Sequence, residues 1–272
     1  MAVGRGEKMG ELSQHEQDLQ KIAGFRLLDD DFMTRVFDGA TEEMSYVLTV
    51  ILGFKVTVID VRTQYEVKNL RGRSARLDIY AKDDKGVYFN VEIQRSDRGA
   101  GARRARFNSS VVDSNLLDAG STGYPLPEVY IVFITENDVL GAGLGIYHIE
   151  RRIEELDKPF EDGEHIVYVN GQLNDETDLG HLMHDFRCTS ADEIYNPGLA
   201  EKVRFFKETA EGVAAMCKVM EDMRNETALA KAKQIAENFI RNTKLSDNEI
   251  ASNVELPVKE ISTLRESLLQ TV

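Results

Sequence analysis

From Phe32 to Leu52, apolar residues fall at Phe32, Val36, Ala40, Met44, Val47, Leu48 and Ile51, the spacing that lines one face of a helix. Asp29, Asp30 and Asp31 stand at its start, where acids suit a cap and the helix dipole, and Gly53 marks its end. Residues 55–66 are rich in β-branched side chains and predict a strand. Two alternating segments follow. Leu77, Ile79 and Ala81 alternate with Arg76, Asp78 and Tyr80; Val87, Phe89, Val91 and Ile93 alternate with Tyr88, Asn90, Glu92 and Gln94. The turn Lys82-Asp83-Asp84-Lys85-Gly86 between them predicts a hairpin. Residues 102–117 predict a helix, 128–135 a buried strand, 165–169 a short strand, and the chain from 179 onward is helical by pattern.

Domain organisation follows: a polar, loose arm over 1–28, an α/β core over 29–190, a helical extension over 191–244, and a C-terminal segment over 245–272. That last segment predicts two short helices around Val254-Glu255-Leu256-Pro257. It suits either a helix-turn-helix or a small helical cap for packing or dimer contact. The second helix sets Lys259 and Arg265 against Glu260 and Glu266, a poor match to a phosphate backbone.

Charge adds to this picture. The net charge is −14, yet residues 62–106 carry twelve Lys and Arg against six acids, a local charge of +6 that leaves −20 elsewhere. A basic region of this kind suits an anionic partner, or is simply a solvated surface. No apolar run reaches the roughly 18 residues of a membrane-spanning helix. Cys188 and Cys217 form neither a disulfide framework nor a zinc pattern, so the expectation is a reducing, cytoplasmic setting without membrane contact or small-molecule cofactor. Gly141-Ala-Gly143-Leu-Gly145 lacks the Lys-Ser/Thr of a phosphate loop and reads as a turn; His181 and His184 read as surface or capping residues. Phe107, Tyr124 and the other aromatics suggest no stacking platform.

The hairpin carries the candidate chemistry. Strand alternation puts Asp78, Glu92 and Gln94 on one face. A symmetric closure sets Asp78 opposite Glu92 or one pair removed, with side chains roughly 5–8 Å apart. Paired carboxylates repel unless they are solvated, share a proton or bind a cation. Their oxygens suit Mg²⁺ or Mn²⁺, and the carbonyl of Ile93 is a natural further oxygen ligand. Gln94 can orient a water. The competing reading is that Asp, Glu and Gln are ordinary on a solvent-facing strand.

The strings Arg73-Ser-Ala-Arg-Leu-Asp78-Ile-Tyr-Ala-Lys82 and Val91-Glu92-Ile-Gln94-Arg-Ser-Asp97 resemble the recombination-promoting nuclease/transposase family of the PD-(D/E)XK nuclease superfamily. The likeness continues through Arg104-Ala-Arg106-Phe-Asn-Ser-Ser110, Ile146-Tyr-His-Ile-Glu150 and Phe205-Phe-Lys-Glu-Thr209, over about residues 29–226. It implies a restriction-endonuclease-like core, α-β-β-β-α-β with a mixed sheet flanked by helices, and metal-dependent endonucleolytic cleavage of DNA linked to recombination or mobile elements. It places the metal carboxylates on Asp78 and Glu92 and puts Gln94 where the superfamily carries Lys. Asp31 is the candidate for an additional helix acid, with capping an equal explanation. Arg76, Arg95, Arg103, Arg104 and Arg106 are the candidate DNA contacts, with phosphate or active-site support expected of Arg106. A homo-oligomer is compatible. The alternative is a nuclease-fold module of little or no catalysis that binds DNA or a protein partner.

Overall fold

The computed structural model describes residues 12–67, 74–95, 99–117 and 122–270. Lys68, Arg71, Arg73 and Arg98 of the basic segment, and Ser96 and Asp97 of the resemblance, lie outside the described residues. The chain divides into two compact units, Met1–Val213 and Ala214–Val272.

In the first unit, α1 (Gln14–Gly24) stands where a loose arm was expected. Ser13 and Glu16 form a reciprocal capping box, and Ile22 is buried, so local caps and one apolar anchor order a polar sequence. The single helix expected over 32–52 is two, α2 (Asp30–Phe37) and α3 (Thr41–Leu52). Gly39 breaks it with φ +67°, a conformation that glycine adopts freely. All seven stripe residues are nonetheless buried, so the apolar spacing runs through the break and hides it. Gly53 closes α3 in the left-handed conformation, as expected.

Six strands follow: β1 (Val58–Val67), β2 (Ala75–Asp83), β3 (Tyr88–Gln94), β4 (Val129–Thr135), β5 (Ile146–Ile149) and, after a two-stranded hairpin of β6 (Arg152–Ile153) and β7 (Lys158–Pro159), β8 (Glu164–Asn170). They make one mixed sheet in the order β1-β2-β3-β4-β8-β5. Strands β1, β2 and β3 are antiparallel neighbours; β3, β4 and β8 run parallel, and β5 returns antiparallel to β8. Helix α4 (Ala102–Leu116) makes the crossover that a parallel β3–β4 pair requires. It buries Ala105, Val111 and Val112 in a core with Ile131 and Phe133 of β4. The expected glycine turn is present near residues 141–143: Asp138 accepts the amides of Leu140, Gly141 and Gly143. Helices α5 (Asp178–Arg187) and α6 (Pro197–Glu208) follow, the second with Pro197 in its first turn and Asn196 as cap.

Helix α7 (Ala210–Asn242) runs into the second unit, where α8 (Asp247–Val254) and α9 (Val258–Gln270) follow. Ala236, Ile250, Ala251, Val254 and Ile261 form its small core. Glu255 at φ +57° makes the turn between α8 and α9. Among the described residues, no helix is long and apolar enough to cross a membrane.

Candidate active site

The site lies at the open end of the β2–β3 hairpin. The paired register runs Ala81↔Phe89, Tyr80↔Asn90, Ile79↔Val91, and the next residues along each strand are Asp78 and Glu92. There a side chain takes over from the ladder: Asp78 Oδ2 accepts the amide of Ile93 at 3.0 Å. Gln94 Nε2 donates to Asp78 Oδ2 at 3.2 Å and to Glu92 Oε2 at 3.5 Å. The three side chains therefore converge. The Gln94 carbonyl accepts from Glu136 on the β4 side, so strand alternation turns the amide and carbonyl of Ile93 toward β2 and Asp78.

Helix α4 brings a fourth group. Arg104 donates through Nη2 to Glu92 Oε2 and through Nη1 to Gln94 Oε1 at 3.1 Å and to the carbonyl of Gly99 at 3.1 Å. One guanidinium thus gathers Glu92, Gln94 and the backbone leading into α4. Gly99 makes room for this: a Cβ there would overlap the Gln94 carboxamide oxygen. The residue expected to support the site was Arg106, which is exposed; Arg104, two positions earlier, occupies that place because a helix turns about 200° over two residues.

Glu92 is fully buried, and its Oε1 has no hydrogen-bond partner. Asn90, two residues back on the same face, is fully buried with neither amide atom partnered. Its amide lies close enough to favour the charged form of Glu92, but falls short of a hydrogen bond. Burial raises the Glu92 carboxyl above its ordinary range, opposed by Arg104. Burial, and then the charge of Glu92, push the Asp78 carboxyl up to about 7 against the pull of the Ile93 amide. The pair is thus short of positive charge at neutral pH even with Arg104 present.

A third acid approaches from α2. The charge of Asp30 acts on Asp78, whereas Asp31, the expected helix acid, is half-buried one position on. Gln64 orients Asp30, donating to its Oδ1 at 2.8 Å and to Thr34 at 3.2 Å. Gln64 sits in β1 at φ +51°, between the pairs Thr63↔Ile79 and Tyr65↔Leu77, and so next to Asp78. A non-glycine residue in this conformation is strained, a feature concentrated at functional sites. No sequence signal marks it.

The other candidate cations divide. Arg95 pairs with Asp29 at 3.0 Å and Glu136 at 3.5 Å, and Arg26 joins the same two acids. Asp29 serves this cluster and makes no side-chain cap to α2. Arg76 and Arg103 border an open cleft beside the site. Contrary to the expectation of no stacked aromatics, Tyr65, Tyr80 and Tyr88 stack at 4.8 and 5.7 Å farther along the sheet, because pairing of the strands brings residues distant in sequence side by side. Arg62 and Lys82 lie over the rings of Tyr65 and Tyr88, so the column is capped at both ends. Among the described residues, no group of three or more His, Cys, Asp or Glu gathers as a metal cage. Two carboxylates, one with an unpartnered buried oxygen, and a strand carbonyl are the donor set of a hard, partly hydrated cation and fit no zinc-type site.

Neither the curated proteins nor the solved structures give a match to the chain. The stretch that carries the whole sheet, α4 and the four converging side chains, residues 52–179, matches the family model described as PD-(D/E)XK nuclease family transposase, the family that the sequence resembles.

Proposed function

We propose that the chain is a divalent-metal-dependent endodeoxyribonuclease, built on a restriction-endonuclease-like core and serving DNA recombination or mobile elements. The observation that carries this reading is the convergence of Asp78, Gln94 and Arg104 on Glu92, whose buried Oε1 is left without a partner. Asp78, Glu92 and the carbonyl of Ile93 would hold Mg²⁺ or Mn²⁺, with water and a DNA phosphate completing the shell. The ion, when bound, lowers the pKa of water and offsets charge on the phosphate. Gln94 steadies both carboxylates through Nε2, is anchored by Arg104 at Oε1, and would be the group to orient an attacking water. Arg104 supplies, from α4, the positive charge that Gln94 lacks, and so can stabilise charge developing on the phosphate. Asp30, held by Gln64, bears on Asp78 through its charge, and Asp31 beside it is the further helix acid of this reading. Arg76, Arg103 and Arg106 would bear on the DNA backbone, and Arg95 acts through its acidic cluster.

The test is plasmid nicking in Mg²⁺ and Mn²⁺. Wild-type protein nicks, and Glu92→Ala falls to background. A wild-type rate equal to that of Asp78→Ala in both metals would sink the enzyme reading. It would favour the second reading, a module of little or no catalysis, for which the ion pair of Arg104 on Glu92 is the supporting observation: a guanidinium already occupies one oxygen a cation would use. In the C-terminal unit, Arg265 is paired with Asp247 at 2.7 Å and Lys233 with Glu260 at 3.3 Å, which favours a packing role over reading of DNA.

A further inference from the structure

Between β2 and the first half of α4 lies a cleft of about 670 Å³, walled by Ala75 and Arg76 on one side and by Arg103, Arg104, Phe107 and Asn108 on the other. Arg104 is shared with the site, so the cleft adjoins Glu92. Three features bear on what it could hold. Asn108 is only 3% exposed, and its Nδ2 has no hydrogen-bond partner. A buried donor left in that state is costly, so an acceptor entering the cleft regains a hydrogen bond. Arg76 and Arg103 are exposed and, among the described residues, make no ion pair, unlike Arg95 and Arg104. Phe107 is half-buried: it packs in part against the core of the sheet and also lines the cleft.

Two free guanidiniums call for an anion, an aromatic wall for a flat partner, and a lone buried donor for an in-plane acceptor. A nucleotide has all three, and the volume is that of a small-ligand pocket, too small for a duplex. We propose that this cleft takes one unpaired nucleotide of the strand beside the scissile phosphate. Its base lies against Phe107 within reach of Asn108 Nδ2, and its phosphates lie on Arg76 and Arg103. The inference rests on the reading of DNA as substrate and narrows it to strands with unpaired residues: ends, gaps or bubbles. Stacking on an aromatic side chain tolerates every base, so the cleft selects for single-strandedness and not for sequence.

The experiment is fluorescence anisotropy of the full chain in EDTA, with three labelled probes of equal charge: a short single strand, the same strand with its bases replaced by abasic sites, and a blunt hairpin duplex. The single strand binds about tenfold tighter than either of the others. Phe107→Leu and Asn108→Asp each reduce that advantage by about fivefold, with melting temperature followed alongside. The comparison of probes on wild-type protein needs no variant and decides the matter if one misfolds. Equal binding of the normal and base-free strands overturns the proposal. Plasmid nicking by the same preparation separates the two readings. Nicking without base-dependent binding removes the cleft and leaves the nuclease; base-dependent binding without nicking keeps the cleft and removes the nuclease.

Discussion

The β2–β3 hairpin carries buried carboxylates at both ends, and the two ends are opposites. At the turn, Asp83 is 3% exposed and accepts the amides of Lys85 at 2.9 Å and Val87 at 2.8 Å. Its charge is spent on building the turn. At the open end, burial raises both Asp78 and Glu92, the charge of Glu92 raises Asp78 further, and one Glu92 oxygen is left with no partner. A carboxylate buried with its amides in place is a structural part; one buried beside another acid with bonds missing is where, on the function proposed above, a cation would bind. Sequence composition does not separate the two, since both are acids on alternating strands. Geometry does.

The comparison predicts its largest effect at the open end. Arg104→Met lowers the rate of plasmid nicking by about 100-fold, the loss typical of removing one donor from a developing charge, whereas Arg104→Lys loses much less. In the Arg104→Met background, Gln94→Lys recovers part of the rate, because an ammonium two residues after Glu92 restores the missing charge. In wild-type protein the same lysine would meet the Arg104 guanidinium, which lies 3.1 Å from the Gln94 oxygen, and gives no gain. An Arg104→Met enzyme as fast as wild type would break the link between α4 and the hairpin.

The turn end gives the converse result. Asp83→Ala strands two backbone amides and destabilises the fold by about 1–3 kcal/mol in urea unfolding, while the nicking rate of the folded protein is unchanged. A loss of activity without a loss of stability would reverse the assignment of the two ends.

A further effect is on stability with pH. An unfolded Asp titrates near 3.9, whereas Asp78 in the folded, metal-free protein is raised to about 7. The folded state therefore holds the extra proton, and the associated stability is present below about pH 4 and lost as pH rises toward 7. Asp78→Asn should melt with wild type at pH 4 and several degrees higher at pH 8, at about 2–4 °C for each kcal/mol. Differential scanning calorimetry at the two pH values reads it directly.

Much of this arrangement was legible in the chain. Period-two alternation, with a glycine turn, is enough to bring Asp78, Glu92 and Gln94 to one face, because a strand leaves no other choice. The groups that complete the site were not. Arg104 was one of three arginines at the start of a helix, and which one points inward depends on how α4 docks over the sheet. Asp30 and Asp31 differ by one position on α2, and the charge of Asp30 on Asp78 follows from how α2 lies against the sheet, which the apolar stripe does not give. Gln64 is a polar residue in a strand with nothing to betray its positive φ. Asn90 and Asn108 read as ordinary polar positions until burial shows that their amides lack partners.

The most direct measurement is Mn²⁺ binding to the full-length protein, followed by the loss of the free-ion electron paramagnetic resonance signal. The account predicts one site in wild-type protein and in Asp83→Asn, weakened at least about tenfold in both Asp78→Asn and Glu92→Gln. Binding that is absent from wild type, or equal in wild type and Asp78→Asn, would contradict it.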